Sequence, residues 1–383
     1  MSPVALTKRI ALAGLLVAAG AVSPVTLPAQ AQLPPQVEAR IPKAPTVAHT
    51  GGQDVLVYEI HVTNLTPATQ TLTRVEVRDA ASGATLAALS DSALRSAIAR
   101  RGVPVAGPDR PKIGGGLRAI VFMWVPIGAT PPASIDHRLT LQSGTGDSVR
   151  TAVLETSAIA VANDAPVIGP PLRGGVWVAA NGPANESGHR RALIAVDGGL
   201  FIAQRFAIDF VKLNESGTST FTGDRLKNTS YPAYGTDALA VADGRVVAVK
   251  DGIPENVPGV NSRAVPITME TVGGNHLIVD IGRGKYAFYA HLQPGSIRVK
   301  LGDQVRRGQV LGLVGNSGNS TEPHLHFHLS DANSPLGSEG VPYVLETLDV
   351  VGACRSALGN CSRESPEVRR RQMPAASELV RFP

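Results

Sequence analysis

Three histidines in Pro323-His324-Leu325-His326-Phe327-His328-Leu329 recur at every second position, which is the side-chain period of a β-strand. His324, His326 and His328 therefore share one face, while Leu325, Phe327 and Leu329 share the other and can enter a core. The chain holds nine histidines in 383 residues, so three on one strand face is a concentration that suits metal ligation and proton transfer. The turn-rich loop Asn316-Ser317-Gly318-Asn319-Ser320-Thr321-Glu322 leads into this strand. Two more residues fit the same chemistry. His291 stands near the end of an apolar run in Tyr289-Ala290-His291-Leu292, and Asp209 is flanked by apolar residues in Phe206-Ala207-Ile208-Asp209-Phe210. A carboxylate inside a hydrophobic strand needs a cation, a hydrogen-bond donor or a metal to offset its desolvation, so Asp209 is a candidate ligand on physical grounds alone.

The elements that must position these residues read as all-β. Alternation or short apolar runs bounded by Gly, Pro, Asn and Asp mark strands at residues 58–64, 71–78, 118–126, 137–142 and 149–161, which predicts an N-terminal β-sandwich over 46–162. One helix is predicted over 92–101. His49, His61 and His137 are isolated from any acid or nucleophile pattern and read as surface or strand residues. Residues 163–175, with three prolines and two glycines at its end, read as a linker. A second, antiparallel series follows at 191–196, 200–213, 238–250, 276–281, 285–292, 310–315 and 324–329, giving a domain over 176–345. Residues 346–383 read as a C-terminal tail in which Cys354 and Cys361 pair, a local clip worth about 2.5 kcal/mol.

Residues 1–31 read as a signal peptide: Lys8 and Arg9 precede an apolar run, and Ala29-Gln30-Ala31 supplies the small residues of a cleavage site. The expectation is export to a periplasm or the extracellular space, with no membrane span in the mature chain. The net charge of +5 is mild, and the densest basic run, Arg369-Arg370-Arg371, sits in the expected tail, so nucleic acid is not an expected partner.

Taken in order, Val272-Gly273-Gly274-Asn275, Tyr289-Ala290-His291-Leu292, Gly302-Asp303-Gln304-Val305 with Gly308-Gln309-Val310-Leu311-Gly312, and the loop before His324-Leu325-His326-Phe327 resemble the lysostaphin-type (M23) zinc endopeptidases of the bacterial cell wall. The resemblance runs from about Gly188 to Leu329. It implies an antiparallel β-sheet metallopeptidase domain of the lysostaphin type, one catalytic Zn2+, and peptidoglycan peptides as substrate. It also implies Asp209 and His326 as metal ligands, with His291 and His324 as catalytic histidines beside the metal. His328 matches no functional position and reads as an outer-shell or rim residue, and His276 reads as structural. Residues 214–235 and 251–271 are insertions relative to shorter relatives and either wall a substrate groove or form loops without a role.

One position departs from the pattern. The family's first ligand precedes the Asp by four residues, and Arg205 stands there, a side chain that keeps its proton and does not ligate zinc. Either another residue has taken over, or the domain is a degenerate, non-catalytic module that regulates another cell-wall hydrolase. The replacement candidate is His189. Asp197-Gly198-Gly199 signals a hairpin, and a register centred near Gly198 pairs 191 with 205 and 189 with 207, which places His189 on the metal side, diagonal to Asp209. A slip of one residue would turn it to the opposite face.

Overall fold

Residues 55–62 are all buried although they form a strand, so this segment is covered on both faces. The computed structural model describes residues 35–102, 107–356 and 359–382; the expected signal segment, 1–31, lies outside them. The long strands of the N-terminal part are β1 (Gln53–Asn64), β2 (Gln70–Asp79), β3 (Arg118–Ile127) and β4 (Ser134–Ser143). β1 and β3 pair antiparallel, from Asp54 opposite Ile127 to Thr63 opposite Arg118, within a five-stranded sheet. β2 and β4 belong to a six-stranded sheet. The core between the sheets takes Tyr58 and Ile60 from β1, Val121 and Met123 from β3, and Val75 and Leu139 from the facing sheet. The expected helix is shorter, Asp91–Ala97, because Ile98–Ala99 pairs with β3 instead.

The opposite face of β1 carries Val55, Val57, Glu59 and His61. Val55 and Val57 join the core of the C-terminal part, and on β3 Ile120 and Phe122 pack against Ile202. Glu59 comes to lie in this apolar seam, 2% exposed, where its charge requires compensation. Arg190 and Arg205, both buried, supply it: Arg205 Nη2 lies 2.7 Å from Glu59 Oε2 and its Nε 3.2 Å from Oε1, and Arg190 Nη1 donates to Oε1. Arg205 also pairs with Glu339 at 2.6 Å. In the N-terminal part His61 and His137 are buried strand residues, and His137 Nε2 bonds the Tyr58 hydroxyl at 2.7 Å.

The C-terminal part is built on one twelve-stranded sheet. In chain order its main strands are β5 (Trp177–Ala180), β6 (Ile208–Lys212), β7 (Gly244–Lys250), β8 (Asn275–Asp280), β9 (Tyr286–Leu292), β10 (Leu325–Ser330), β11 (Val344–Ser356), β12 (Gly359–Gln372) and β13 (Glu378–Arg381). Across the sheet they run β11-β13-β5-β6-β10-β9-β8-β7, with β12 paired to β11. Ile208, Phe210, Leu325, Phe327 and Tyr289 enter the core from one face. Residues 346–383, expected as a tail, thus form three strands, and the Cys354–Cys361 disulfide links directly opposed positions of β11 and β12. The expected linker is pinned: Val167–Ile168 pairs in parallel with β11, and Gly169 N donates to Val241 O at 2.7 Å. Sandwich and sheet lie in one compact unit that starts at Pro35. Among the described residues no helix is long and apolar enough to cross a membrane.

The Glu59 network should contribute to the acid response of the fold. Burial opposes its charge, but Arg190 and Arg205 hold its carboxyl down at about 2, against an ordinary 4.5. A depressed carboxyl stabilises the fold above its unfolded value and loses that contribution as pH falls through the folded value. Urea unfolding is expected to show stability declining from pH 4.5 toward 2. Glu59→Gln should flatten that decline and cost about 3–5 kcal/mol at pH 7, since buried Arg190 would lose its counter-charge and Arg205 would keep only Glu339.

Candidate metal centre

Asp209 of β6 and His326 of β10 stand directly opposite each other in the ladder, on the face away from the core residues Phe210, Leu325 and Phe327. The period of two that sends Leu325 and Phe327 inward is what turns His326 outward. Asp209 Oδ1 lies 2.9 Å from His326 Nδ1. His326 Nε2 is 2.9 Å from His328 Nδ1, and His328 is fully buried beside it, so it is an outer partner of His326 and not a rim residue. Asn181 Nδ2 donates to Asp209 Oδ2 at 2.9 Å.

His189 reaches the same carboxylate by a different route from the expected one. The hairpin that signals itself at Asp197-Gly198-Gly199 pairs Ile194 with Phe201 and Val196 with Gly199, one residue away from the expected register. It also ends there. Residues 203–206 turn, with Arg205 N bonded to Ile202 O and Ala207 N to Gln204 O, so the expected strand 200–213 is broken in two. The turn points Arg205 at Glu59 and away from Asp209. His189 lies in a turn and not on a strand. Its Nδ1 donates to Asn181 O at 3.0 Å and comes within 3.4 Å of Ala207 O, and its Nε2 lies 3.4 Å from Asp209 Oδ2. One ligand atom from each of His189, Asp209 and His326 falls within 4.8 Å of the others.

His291 and His324 complete the wall. His291 follows a bulge between β8 and β9 and has φ 64°, a left-handed conformation that costs energy in a non-glycine residue. It is held there by His291 N to Gly273 O at 2.8 Å and by Gly315 N to His291 O at 3.0 Å. Its Nδ1–H donates to Ser317 O at 2.8 Å, and that of His324 donates to Glu322 O at 2.8 Å. Each carbonyl takes up Nδ1 and turns Nε2 toward the site, that of His324 to within 3.4 Å of Asp209 Oδ1. The loop carrying Ser317 can approach only because Gly274 has no side chain: a Cβ there would lie 2.3 Å from Ser317 Oγ, at φ +60°. His189, Asp209, His291, His324, His326 and Arg263 line a cavity of about 270 Å3. Arg263 comes from the second insertion and donates to Asn319 Oδ1 at 3.2 Å. The first insertion braces the loop from outside, through Thr220 Oγ1 to Glu322 Oε2 at 2.9 Å.

The electrostatics follow from packing one acid among imidazoles. Burial opposes the Asp209 charge, but His189 and His324, with hydrogen bonds from His324 and His326, hold its carboxyl well below the usual range. Burial also opposes a charge on His324, yet Asp209 raises its pKa, whereas burial and the neighbouring His324 and His326 push His291 well down. Two imidazoles and one carboxylate, converging in a mostly buried pocket and leaving one side open to a cavity, match the donor set and open coordination position of a catalytic zinc site. Sequence reasoning brought Asp209, His291, His324, His326 and His189 forward, and all five meet here. It missed Asn181, whose side chain reaches Asp209 from a separate turn, and the carbonyls of Ser317 and Glu322, whose roles depend on backbone position and leave no mark in residue type.

Residues 229–337 match the profile of peptidase family M23, a span that includes His291, His324 and His326 and leaves His189 and Asp209 outside it. Peptidoglycan DD-endopeptidase ShyA of Vibrio cholerae is 33% identical over 103 residues, 27% of this chain and 23% of that one. Murein hydrolase activator EnvC of Escherichia coli is 33% identical over 95 residues, 25% of this chain and 18% of that one. The match thus spans less than a quarter of either relative. The catalytic domain of lysostaphin from Staphylococcus simulans matches at 22% identity over 41% of this chain and 83% of that chain, with a TM-score of 0.23.

The geometry separates position 205 from the metal. His189→Ala, Asp209→Ala and His326→Ala should each lower affinity for a divalent transition ion by at least 100-fold in isothermal titration. Arg205→His should raise it in none of these backgrounds nor in the wild type, and should destabilise the fold by about 3 kcal/mol, since Glu59 would keep only Arg190 and Glu339 would lose its partner. A gain in affinity in Arg205→His would mean that this position can reach the metal.

Proposed function

We propose that this protein, an M23 peptidase by its sequence over residues 229–337, is an exported zinc endopeptidase that hydrolyses the peptide cross-links of bacterial peptidoglycan. The observation that carries the reading is the convergence of His189, Asp209 and His326 within 4.8 Å, beside two further histidines in one cavity. These three side chains would hold the zinc ion, which would supply a Lewis acid for the scissile carbonyl and for ionisation of water near neutral pH. His291 and His324 do the proton work. Both have Nδ1 committed to a carbonyl, so each presents Nε2 to the cavity; the neutral one accepts the proton of the attacking water on Nε2, and the other, protonated on both nitrogens, donates from Nε2 to the developing oxyanion or the leaving amine. Asn181 and His328 hold the ligands: Asn181 binds Asp209 Oδ2 and His189 Nδ1, and His328 binds His326 Nε2. The disulfide on β11 and β12 fits an oxidising compartment outside the cytoplasm.

The rival reading, a metal-free module that regulates another cell-wall hydrolase, rests on the loss of a ligand at position 205. In the present reading His189 fills that role, and Arg205 serves the Glu59 network instead.

The purified mature chain is expected to carry one zinc per molecule by elemental analysis and to release new amino groups from purified peptidoglycan. Chelation should abolish release, and added zinc should restore it. His291→Ala and His324→Ala should each reduce release more than 100-fold while keeping the zinc. If both lost the metal, or either kept full activity, the assigned roles would be wrong.

A further inference from the structure

Two of the three candidate ligands, Asp209 and His326, are locked by ladder hydrogen bonds in the middle of the sheet. His189 is not. It belongs to residues 181–193, a run of turns between β5 and the hairpin at Ile194, which spans the distance without joining a strand. A ligand on such a segment holds a metal tightly only if something else fixes the segment, because otherwise its freedom is lost when the metal binds.

The N-terminal sandwich fixes it, through side chains on both sides of His189. Next to His189, Arg190 passes into the seam, where Nη1 meets Glu59 and Nη2 donates to Tyr58 O at 2.8 Å and Met123 O at 3.3 Å. Arg191 lies over the Phe122 ring at 4.3 Å and donates to Ala97 O at 3.4 Å and Ser96 O at 3.2 Å. Asn185, four residues before His189, donates to Phe122 O at 3.0 Å. Arg191 Nε also donates to Asn185 O at 2.5 Å, which ties the two anchors to each other. Every one of these sandwich partners lies on β1, on β3, or in the helix Asp91–Ala97.

We propose that the sandwich is a working part of the metal site: through Asn185, Arg190 and Arg191 it sets the position of His189, and these three are positioning residues for the metal. The proposal rests on the zinc reading above. It ties positions 189 and 205 together: with Arg205 engaged by Glu59, the candidate ligand comes from a turn segment, and the same Glu59 also anchors Arg190, the residue next to it.

The test uses the full mature chain with Asn185→Ala and Arg191→Ala combined, which leaves the buried Glu59 pairing in place. Zinc affinity is measured by chelator competition, coordination by the visible absorption of the cobalt-substituted protein, and order by hydrogen exchange of the metal-free protein. A control, Lys43→Ala, removes another link to the C-terminal part, the 2.7 Å pair of Lys43 with Asp331, which does not touch residues 181–193. The double variant is expected to bind zinc 10- to 100-fold more weakly, to lose the intense absorption of four-coordinate cobalt, and to exchange faster at residues 187–193 but not at Asp209 or His326. Lys43→Ala should match the wild type on all three. Wild-type affinity in the double variant, or an equal loss in Lys43→Ala, would overturn the proposal alone. Absence of zinc from the wild-type chain would overturn the metal reading and the proposal with it.

Discussion

A carboxylate taken out of water must meet positive charge, hydrogen-bond donors or a metal, and the cost of leaving it unmatched exceeds what most single contacts contribute. Two buried acids impose that condition on this protein. Glu59 sits where the sandwich meets the C-terminal sheet and draws Arg190 and Arg205 to it. Asp209 sits in the sheet itself, and His189, His324, His326 and Asn181 close around it. The two clusters are linked by chain connectivity: Arg190 follows His189, and Arg205 precedes Asp209 by four residues. Satisfying the first acid therefore shapes the surroundings of the second.

Strand chemistry was the legible part of the sequence. Alternation of His324, His326 and His328 with Leu325, Phe327 and Leu329 needs only the β-period, and β10 carries it unchanged. Asp209 was legible because an acid between Ile208 and Phe210 has few reasons to be there. The same signal stands at Glu59, between Tyr58 and Ile60. His189 was reached through a hairpin register that the chain does not adopt. The turn at residues 203–206 is stabilised by where Arg205 goes, and that destination lies more than a hundred residues upstream, beyond any local pattern. Strands β11 to β13 were hidden for a related reason. Their long run of charged residues reads as a solvated tail, yet a strand at the edge of a sheet carries charge comfortably.

The histidines also differ in how they are held, and the difference separates their roles. His189, His291 and His324 each give Nδ1–H to a backbone carbonyl, so Nε2 faces the cavity. His326 is reversed, with Nδ1 toward Asp209 and Nε2 toward His328. Backbone carbonyls are fixed by the fold, which makes these orientations a property of the loops around Asn181, Gly274 and Ser317 more than of the histidines themselves.

The account stands on His189 as the third ligand. The most direct test is anomalous X-ray scattering at the zinc edge from crystals of the zinc-loaded mature chain. One peak is predicted, about 2.0–2.2 Å from His189 Nε2, His326 Nδ1 and an Asp209 oxygen. A peak coordinated without His189, or no peak between these residues in zinc-soaked crystals, would contradict it.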